Sequence, residues 1–215
     1  MSILKIWLPI SFLYLIFFLW YTNLSGPLSD EEIEFFVETL SERSDMERKE
    51  ILLNFMKEDD GRDFYMINLL DNKESPITME ATGEGATAMD LQAHYMEYMF
   101  PEMLKRATHP IFFENVLGSA LDILAAPGME NWEIVAIFRY RSRRDLFEIG
   151  ANPIFFERHD YKIEGLDKTI AIPVETPLIF DVRTQLFIIL LAIGLIIDRI
   201  TVSYTHLRAH ETATY

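Results

Sequence analysis

The stretch RYRSRRDLFEIGANPIFFERHD, residues 139–160, concentrates arginine side chains around two short apolar runs. If it begins at the end of a buried strand, Arg139 would point into a pocket beside Asn68 and Tyr95, where a guanidinium binds a carboxylate or stabilises an enolate. The alternative needs no ligand: Ser142 caps the following helix, and the arginines around it are surface side chains. We favour this second interpretation, because a serine that starts a helix is a common capping pattern.

Two neighbouring residues on one predicted helix are candidates for proton transfer. His94 is of the residue type that most often acts as a general base, and it adjoins Tyr95. His94 fits equally well as an exposed helix residue. His159 lies near a helix end, where the helix dipole favours a cation, so we expect a structural role for it. The candidate catalytic residues are therefore His94, Tyr95 and Arg139, and the candidate ligand-binding residues are Asn68, Tyr98, Trp132 and Arg158.

Composition excludes several classes of chemistry. The chain has no cysteine, which excludes disulfides, thiolate metal sites and a cysteine nucleophile. Its formal net charge of -15 disfavours a nucleic-acid-binding surface, since such surfaces concentrate Lys and Arg. The sequence contains no Ser-His-Asp set, glycine-rich phosphate loop or His/Glu metal motif. We therefore predict no metal, no cofactor and no nucleic-acid partner.

The region that must position the candidate residues, 62–176, alternates between strand and helix patterns. Apolar runs at 63–70 and 132–140 predict strands, and a strand bent at Gly118 is expected between them. Thr87 predicts the start of a helix with an apolar stripe. Ser142 and Asn152 predict the starts of further helices after the 132–140 strand, and KTIAIPVE, residues 168–175, predicts a last strand. The resulting order, βαββαβ, predicts an α+β fold: a ferredoxin-like sandwich with an antiparallel sheet and two helices on one face.

The other face of this sheet needs a cover. Successive side chains of a strand point to opposite faces of the sheet, and in WEIVAIFRY both sets are largely apolar. Neither face would therefore be stable in water. Packing of one sheet against the sheet of a second copy would bury that face and form a dimeric α/β barrel. We therefore expect a homodimer.

An acidic helical segment, residues 27–61, precedes the sandwich. Ser29 and Glu32 form a capping box in front of an apolar face, so a helix is predicted to begin there. Ser44 and Glu47 repeat the pattern and predict a second helix. Because the carboxylates lie along whole helices, we expect a solvated surface rather than a cation-binding loop.

Two apolar segments predict a membrane location. Residues 1–25 contain an uncharged run with aromatic residues near its ends, which is typical of an N-terminal transmembrane anchor. A cleaved signal peptide is the alternative, but no convincing cleavage site follows the run. Residues 184–200 predict a second transmembrane helix, although a buried helix of a soluble protein has the same pattern. Lys5 before the first span and the acidic segment after it predict a cytoplasmic N-terminus and a domain outside the cytoplasm, at the inner membrane.

The C-terminal segment, residues 202–215, is similar to the translated adapter read-through found in some assembled genes, so we expect a non-native tail. His206 and His210 stand four residues apart, a spacing that would place two metal ligands on one helix face. No third ligand with suitable spacing accompanies them, so the pair predicts no metal site.

Within the sandwich, the segments FYMINLL, HYMEYMFPEML and NWEIVAIFRYRSRRDLFEIGANPIFFERHDYKIEGLDKT resemble an uncharacterised, EthD-like bacterial family of unknown function in the dimeric α/β-barrel, ferredoxin-like superfamily. The resemblance covers about residues 63–175. Its marks are Asn68, Tyr95, Tyr98, Trp132, the Arg139 to Arg143 junction, Asn152, Pro153 and Arg158. The superfamily includes cofactor-free monooxygenases, lactone isomerases, EthD-like proteins and haem enzymes, so the resemblance implies a fold rather than one reaction.

The first hypothesis for function is a membrane-tethered dimeric domain that binds a small, partly apolar molecule. If it is catalytic, the expected chemistry is cofactor-independent proton transfer or oxygenation, with Asn68 and Arg139 polarising the ligand and His94 or Tyr95 moving a proton. The second hypothesis is a noncatalytic assembly module that recruits another membrane protein. A cavity lined by Asn68, Tyr95 and Arg139 would favour the first, and a core filled by Phe and Met would favour the second.

Overall fold

The computed structural model describes residues 3–41, 46–176 and 181–212, and it separates into two compact units. The larger unit is Asn23–Thr176, and the smaller one combines the two ends of the chain. In chain order the elements are α1 (Ile3–Tyr21), α2 (Asp30–Ser41), α3 (Met46–Lys57), β1 (Phe64–Asn72), α4 (Ala88–Lys105), β2 (His109–Asn115), β3 (Ile134–Tyr140), α5 (Arg143–Gly150), α6 (Pro153–Glu164), β4 (Leu166–Glu175) and α7 (Val182–Thr212).

The predicted α+β class and βαββαβ order are confirmed, with the second helical connection divided into α5 and α6. The strands form one antiparallel sheet in the order β2-β3-β1-β4, which is the order expected for a ferredoxin-like sandwich. In the centre, Asn68 of β1 pairs with Ala136 of β3, which pairs with Phe113 of β2. Because paired residues project to the same side of a sheet, these three side chains share one face.

Helix α4 packs on this face, and its start follows directly from the sequence. The side chain of Thr87 accepts a hydrogen bond from the Asp90 amide, and the Asp90 carboxylate accepts one from the Thr87 amide. The predicted cap is therefore confirmed. Apolar side chains four residues apart then form a buried stripe, and its last three members join Phe64 and Tyr140 in the core. The stripe consists of Leu91, Tyr95, Met99 and Met103.

The opposite face of the sheet carries a row of apolar side chains, one from each strand. Phe112, Ile137, Ile67 and Ile172 lie next to one another across β2, β3, β1 and β4. Phe112 and Ile172 are each 46% exposed, and the two central residues are partly exposed. A large apolar surface of this kind is unusual on a soluble monomer.

Helices α2 and α3 belong to the same compact unit as the sheet. Helix α2 begins behind the predicted capping box, in which Ser29 Oγ accepts from the Glu32 amide at 3.2 Å and the Glu32 carboxylate accepts from the Ser29 amide at 2.8 Å. Phe36 of α2 and Met56 of α3 form a buried cluster with Phe147 of α5. The second predicted cap, at Ser44, lies outside the described residues.

One strand is shorter than the sequence analysis predicts. Strand β2 ends at Asn115 and does not continue to a bend at Gly118. The Val116 amide still donates to the Glu133 carbonyl at 2.8 Å, but a regular ladder does not follow. A sheet-edge segment that buries few side chains gains little from strand pairing. Three leucines of this loop are almost fully exposed: Leu117, Leu121 and Leu124.

In the smaller unit, α1 and α7 pack against each other. The rings of Tyr14 and Phe187 meet edge to face, with centroids 5.6 Å apart. Gly194 permits a close approach, because a Cβ atom there would lie 2.7 Å from the Trp7 ring. Two segments of these helices are long and apolar enough to cross a membrane: Leu4–Tyr21, with mean hydropathy 1.7, and Val182–Val202, with mean hydropathy 2.1. The side chains of His206 and His210 lie outside the described residues.

Candidate functional site

A cavity of about 310 Å³ lies between the sheet and helices α4 and α6. Its volume is at the lower end of the range of about 300 to 1,000 Å³ that is typical of small-molecule sites. Most of the wall is apolar, and methionine side chains can adapt to ligands of different shape because they are unbranched and flexible. The apolar wall includes Met89, Met96, Met99, Met103, Phe113 and Phe138.

Asn68 supplies a polar group from the centre of the sheet. It lines the cavity because it shares a face with Ala136. Its amide nitrogen donates to the carbonyls of Met66 at 3.2 Å and Ala136 at 3.3 Å. The amide is thereby held in one orientation at the cavity wall.

Two tyrosines, Tyr95 from α4 and Tyr140 from β3, also line the cavity. Burial raises the pKa of Tyr95 well above its ordinary value, with a smaller contribution from Tyr140. Burial also raises the pKa of Tyr140 to about 12. Both phenols therefore keep their protons at neutral pH and are hydrogen-bond donors rather than bases. Within the described ranges, neither hydroxyl donates a hydrogen bond to another residue.

Besides Gln92 of α4, whose amide donates to the Asn72 side chain, the polar lining includes Lys162 of α6. Its ammonium nitrogen lies 5.8 Å from the centroid of the Tyr95 ring, within reach of a cation–π interaction. Burial lowers the pKa of Lys162 to about 8, and the positive charge of Arg48 contributes to the shift. Among the residues that the structure describes, no carboxylate forms a salt bridge with this ammonium.

The structure does not bring Arg139 into the cavity. Strand alternation turns it away, since its neighbours Phe138 and Tyr140 line the cavity. The Arg139 guanidinium donates to the Asp63 carboxylate from Nε at 3.1 Å and from Nη2 at 2.9 Å, and to the Ala107 carbonyl at 3.1 Å. Its side chain is only 3% exposed. These contacts give Arg139 a structural role, linking the start of β1 to the loop after α4.

His94 and Arg158 lie between α4 and α6, outside the cavity wall. Arg158 Nη1 lies 2.7 and 2.8 Å from the two ring nitrogens of His94 and 2.8 Å from the Glu97 carboxylate. The imidazole also packs on the ring of Tyr161, with centroids 4.4 Å apart. The pair therefore joins two helices instead of facing a bound molecule in this cavity.

Tyr98 and Trp132 also lie away from the cavity. The Tyr98 hydroxyl donates to the carbonyl of Ile149 at 3.1 Å, which ties α4 to α5. The Trp132 indole donates to the carbonyl of Met129 at 3.0 Å, and Lys168 lies 4.7 Å from the centroid of its ring. Tyr98 therefore links α4 to α5, and Trp132 contacts β4 through Lys168, so neither side chain lines the cavity.

Of the predicted site residues, the cavity brings together Asn68 and Tyr95. Sequence reasoning missed Tyr140 and Lys162. Lys162 had a recognisable signal, because it follows Phe155 and His159 at the spacing of one helix face and is the cation on an otherwise aromatic stripe. Among the described residues, no group of three or more His, Asp or Glu side chains could hold a metal ion.

Comparisons with known proteins support the fold alone. No family model matches the chain, and no curated protein matches it, so the resemblance to an EthD-like family stays a prediction. A protein of unknown function from Rhodopseudomonas palustris is 19% identical, with a TM-score of 0.48 over 60% of this chain and 93% of that one. The methylated form of that protein has a TM-score of 0.50 at 19% identity, covering 60% of this chain and 91% of that one. A dimeric protein of unknown function with a ferredoxin-like fold, from Bacteroides fragilis, is 14% identical, with a TM-score of 0.32 over 53% of this chain and 96% of that one.

Proposed function

We propose that the larger unit binds a small, partly apolar molecule in the cavity beneath α4. The observation that carries this proposal is the wall itself, in which Asn68, Tyr95 and Tyr140 interrupt a surface of methionine and phenylalanine. Burial of apolar ligand surface supplies affinity, and a few polar groups orient the ligand. If the bound molecule reacts, the two phenols are donors that would stabilise an oxyanion, as cofactor-independent proton transfer or oxygenation requires. The Asn68 amide is not such a donor, because its nitrogen already donates to the carbonyls of Met66 and Ala136.

Binding is tested with hydrocinnamamide, a neutral probe with an aromatic body and a polar amide. Ala93 is exposed and lies at the cavity wall, so Ala93→Trp should obstruct the cavity without disturbing the core. Calorimetry on the full chain in lipid nanodiscs, corrected for empty nanodiscs, should show binding that Ala93→Trp weakens by about tenfold or more. The control is Ala120→Trp, which places the same ring on the exposed loop after β2. Absence of saturable binding, or equal binding by both variants, would contradict the proposal.

We also propose that the open face of the sheet packs against a second copy, forming a dimeric α/β barrel. The support is the row of Phe112, Ile137, Ile67 and Ile172, which continues across all four strands and leaves apolar surface in water. A two-fold partner presents the same row, so the two surfaces are complementary in chemistry. Burial of this surface would favour association.

The two apolar helices support a further proposal, that the protein is anchored in a membrane. Helices α1 and α7 have the length and composition of spans, and the charged residues of the two apolar segments lie near the segment ends. We propose a cytoplasmic N-terminus at the inner membrane and a larger unit outside the cytoplasm. Alkaline phosphatase fused after Ser29 should then be active, and an inactive fusion would reverse the orientation.

A noncatalytic assembly module is the second candidate function. The three exposed leucines of the loop after β2, Leu117, Leu121 and Leu124, favour it, because exposed apolar clusters are common at protein interfaces. The hydrocinnamamide measurement separates the two candidates. A domain used only for assembly gives no saturable binding in the cavity.

A further inference from the structure

Lys162 is the one charged side chain among the described residues that line the cavity. Its ammonium projects from α6 toward the ring of Tyr95, 5.8 Å from the ring centroid. A cation placed against apolar walls loses hydration, and pairing with an anion offsets that loss. No described carboxylate of the protein forms that pair, so the cavity has a positive charge available to a ligand.

The rest of the wall limits which anion fits. Methionine and phenylalanine side chains surround the polar groups, so the ligand must be apolar over most of its surface. Tyr95 and Tyr140 present protonated hydroxyls, which can donate to an anionic oxygen. One ammonium balances one negative charge, whereas a dianionic phosphate would bring excess negative charge into a protein whose net charge is already -15.

We propose that the ligand is an amphipathic monocarboxylate, whose carboxylate pairs with Lys162 and whose hydrocarbon body contacts the methionine and phenylalanine wall. This inference rests on the proposed binding function and specifies its ligand class. Lys162 is thus the residue that determines specificity, and the two phenols are the donors that share the carboxylate.

The test compares hydrocinnamate with hydrocinnamamide, which has the same body without the charge. Calorimetry on the full chain in nanodiscs, corrected for empty nanodiscs, should show that the carboxylate binds about tenfold tighter than the amide. Lys162→Met should remove this preference, so that the two probes bind with about equal affinity, and Lys162→Arg should retain part of it. Lys105→Met is the matched control, because it removes the same charge from an exposed site and should keep the preference.

A measurement on the unchanged chain avoids any effect of substitution on folding. The titratable and charged groups that face Lys162 are Tyr95 from α4, Tyr140 from β3, Arg48 from α3 and His159 on its own helix. Burial lowers the pKa of Lys162 to about 8 and raises the pKa values of Tyr95 and Tyr140, so Lys162 loses its charge between about pH 7.5 and about pH 9.5 while the two phenols keep their protons. Carboxylate affinity should therefore fall across this window while amide affinity stays constant.

The outcomes distinguish an error in the monocarboxylate inference from an error in the proposed binding function. If both probes bind equally, or if the Lys162→Met variant keeps the preference, the cavity binds ligands but the monocarboxylate inference is wrong. A carboxylate affinity that does not change with pH would also overturn the inference. If neither probe gives saturable binding, the proposed binding function itself is wrong.

Discussion

Arg139 and Lys162 show how the surroundings of a cation determine its role. Arg139 is enclosed by the Asp63 carboxylate and the Ala107 carbonyl, so its charge is already balanced within the protein. Lys162 faces an apolar cavity without such a carboxylate in the described part of the chain. The helix-capping pattern around Ser142 favours a structural interpretation of this stretch, and the alternative assigned Arg139 to a catalytic site. That assignment depended on strand register, because a shift by one residue exchanges the two faces of a strand and no local pattern reports the register.

Replacement of Arg139 by Met should destabilise the protein without changing ligand binding. The substitution leaves the Asp63 carboxylate without its guanidinium partner, and loss of one partner from a buried ion pair costs about 3 kcal/mol. The measurement is the free energy of unfolding in guanidinium, together with hydrocinnamate affinity below the unfolding transition. Arg62→Met is the control, because the Arg62–Asp60 pair is exposed and should matter little. If Arg139→Met weakens hydrocinnamate binding and leaves the free energy of unfolding unchanged, Arg139 contributes to the ligand site instead.

At the scale of elements, the helix starts could be predicted and the sheet edge could not. Thr87, Ser142 and Asn152 each accept a hydrogen bond from an amide in the first turn of the following helix, as their sequence patterns indicate. These patterns are local, so a short stretch of sequence is sufficient to find them. The end of β2 depends instead on pairing with β3 and on burial, which a short stretch does not reveal.

The contact between α2 and α5 should contribute to the acid sensitivity of the protein. Hydrogen bonds from Arg144 lower the pKa of Glu32 from 4.5 to about 2. Because the folded protein holds this carboxylate ionised, its contribution is present above the ordinary pKa and is lost as the pH falls through about 2. Glu32 is partly exposed, so the contribution is less than about 1 kcal/mol after solvent screening.

Glu32→Gln should therefore reduce the loss of stability between pH 4.5 and about 2. The amide oxygen can still accept the Ser29 hydrogen bond, so the change mainly removes the charge. Unfolding free energies measured across this pH window test the expectation, with Glu31→Gln as the neighbouring control. An identical acid profile for the Glu32→Gln variant and the unchanged chain would show that the pair with Arg144 does not contribute.

For the whole molecule, the apolar row across the sheet leads us to expect a dimer. Ile172→Glu would place a charge in the proposed interface and should raise the dimer dissociation constant by about tenfold or more. Ile154→Glu is a matched control, since Ile154 is 50% exposed on α6 and Ile172 is 46% exposed on β4. Light scattering coupled to size exclusion measures the change. If both variants have the same dimer dissociation constant, the dimer interface does not include this face of the sheet.

The central claim, that a ligand enters the cavity beneath α4, is tested most directly by NMR of the full chain with methyl-labelled methionine. Met96, Met99 and Met103 line the cavity, whereas Met46 is 80% exposed at the start of α3. We predict nuclear Overhauser contacts between hydrocinnamate and the methyl groups of the three cavity methionines, and none to Met46. Saturating ligand without contacts to the cavity methyl groups would contradict the account.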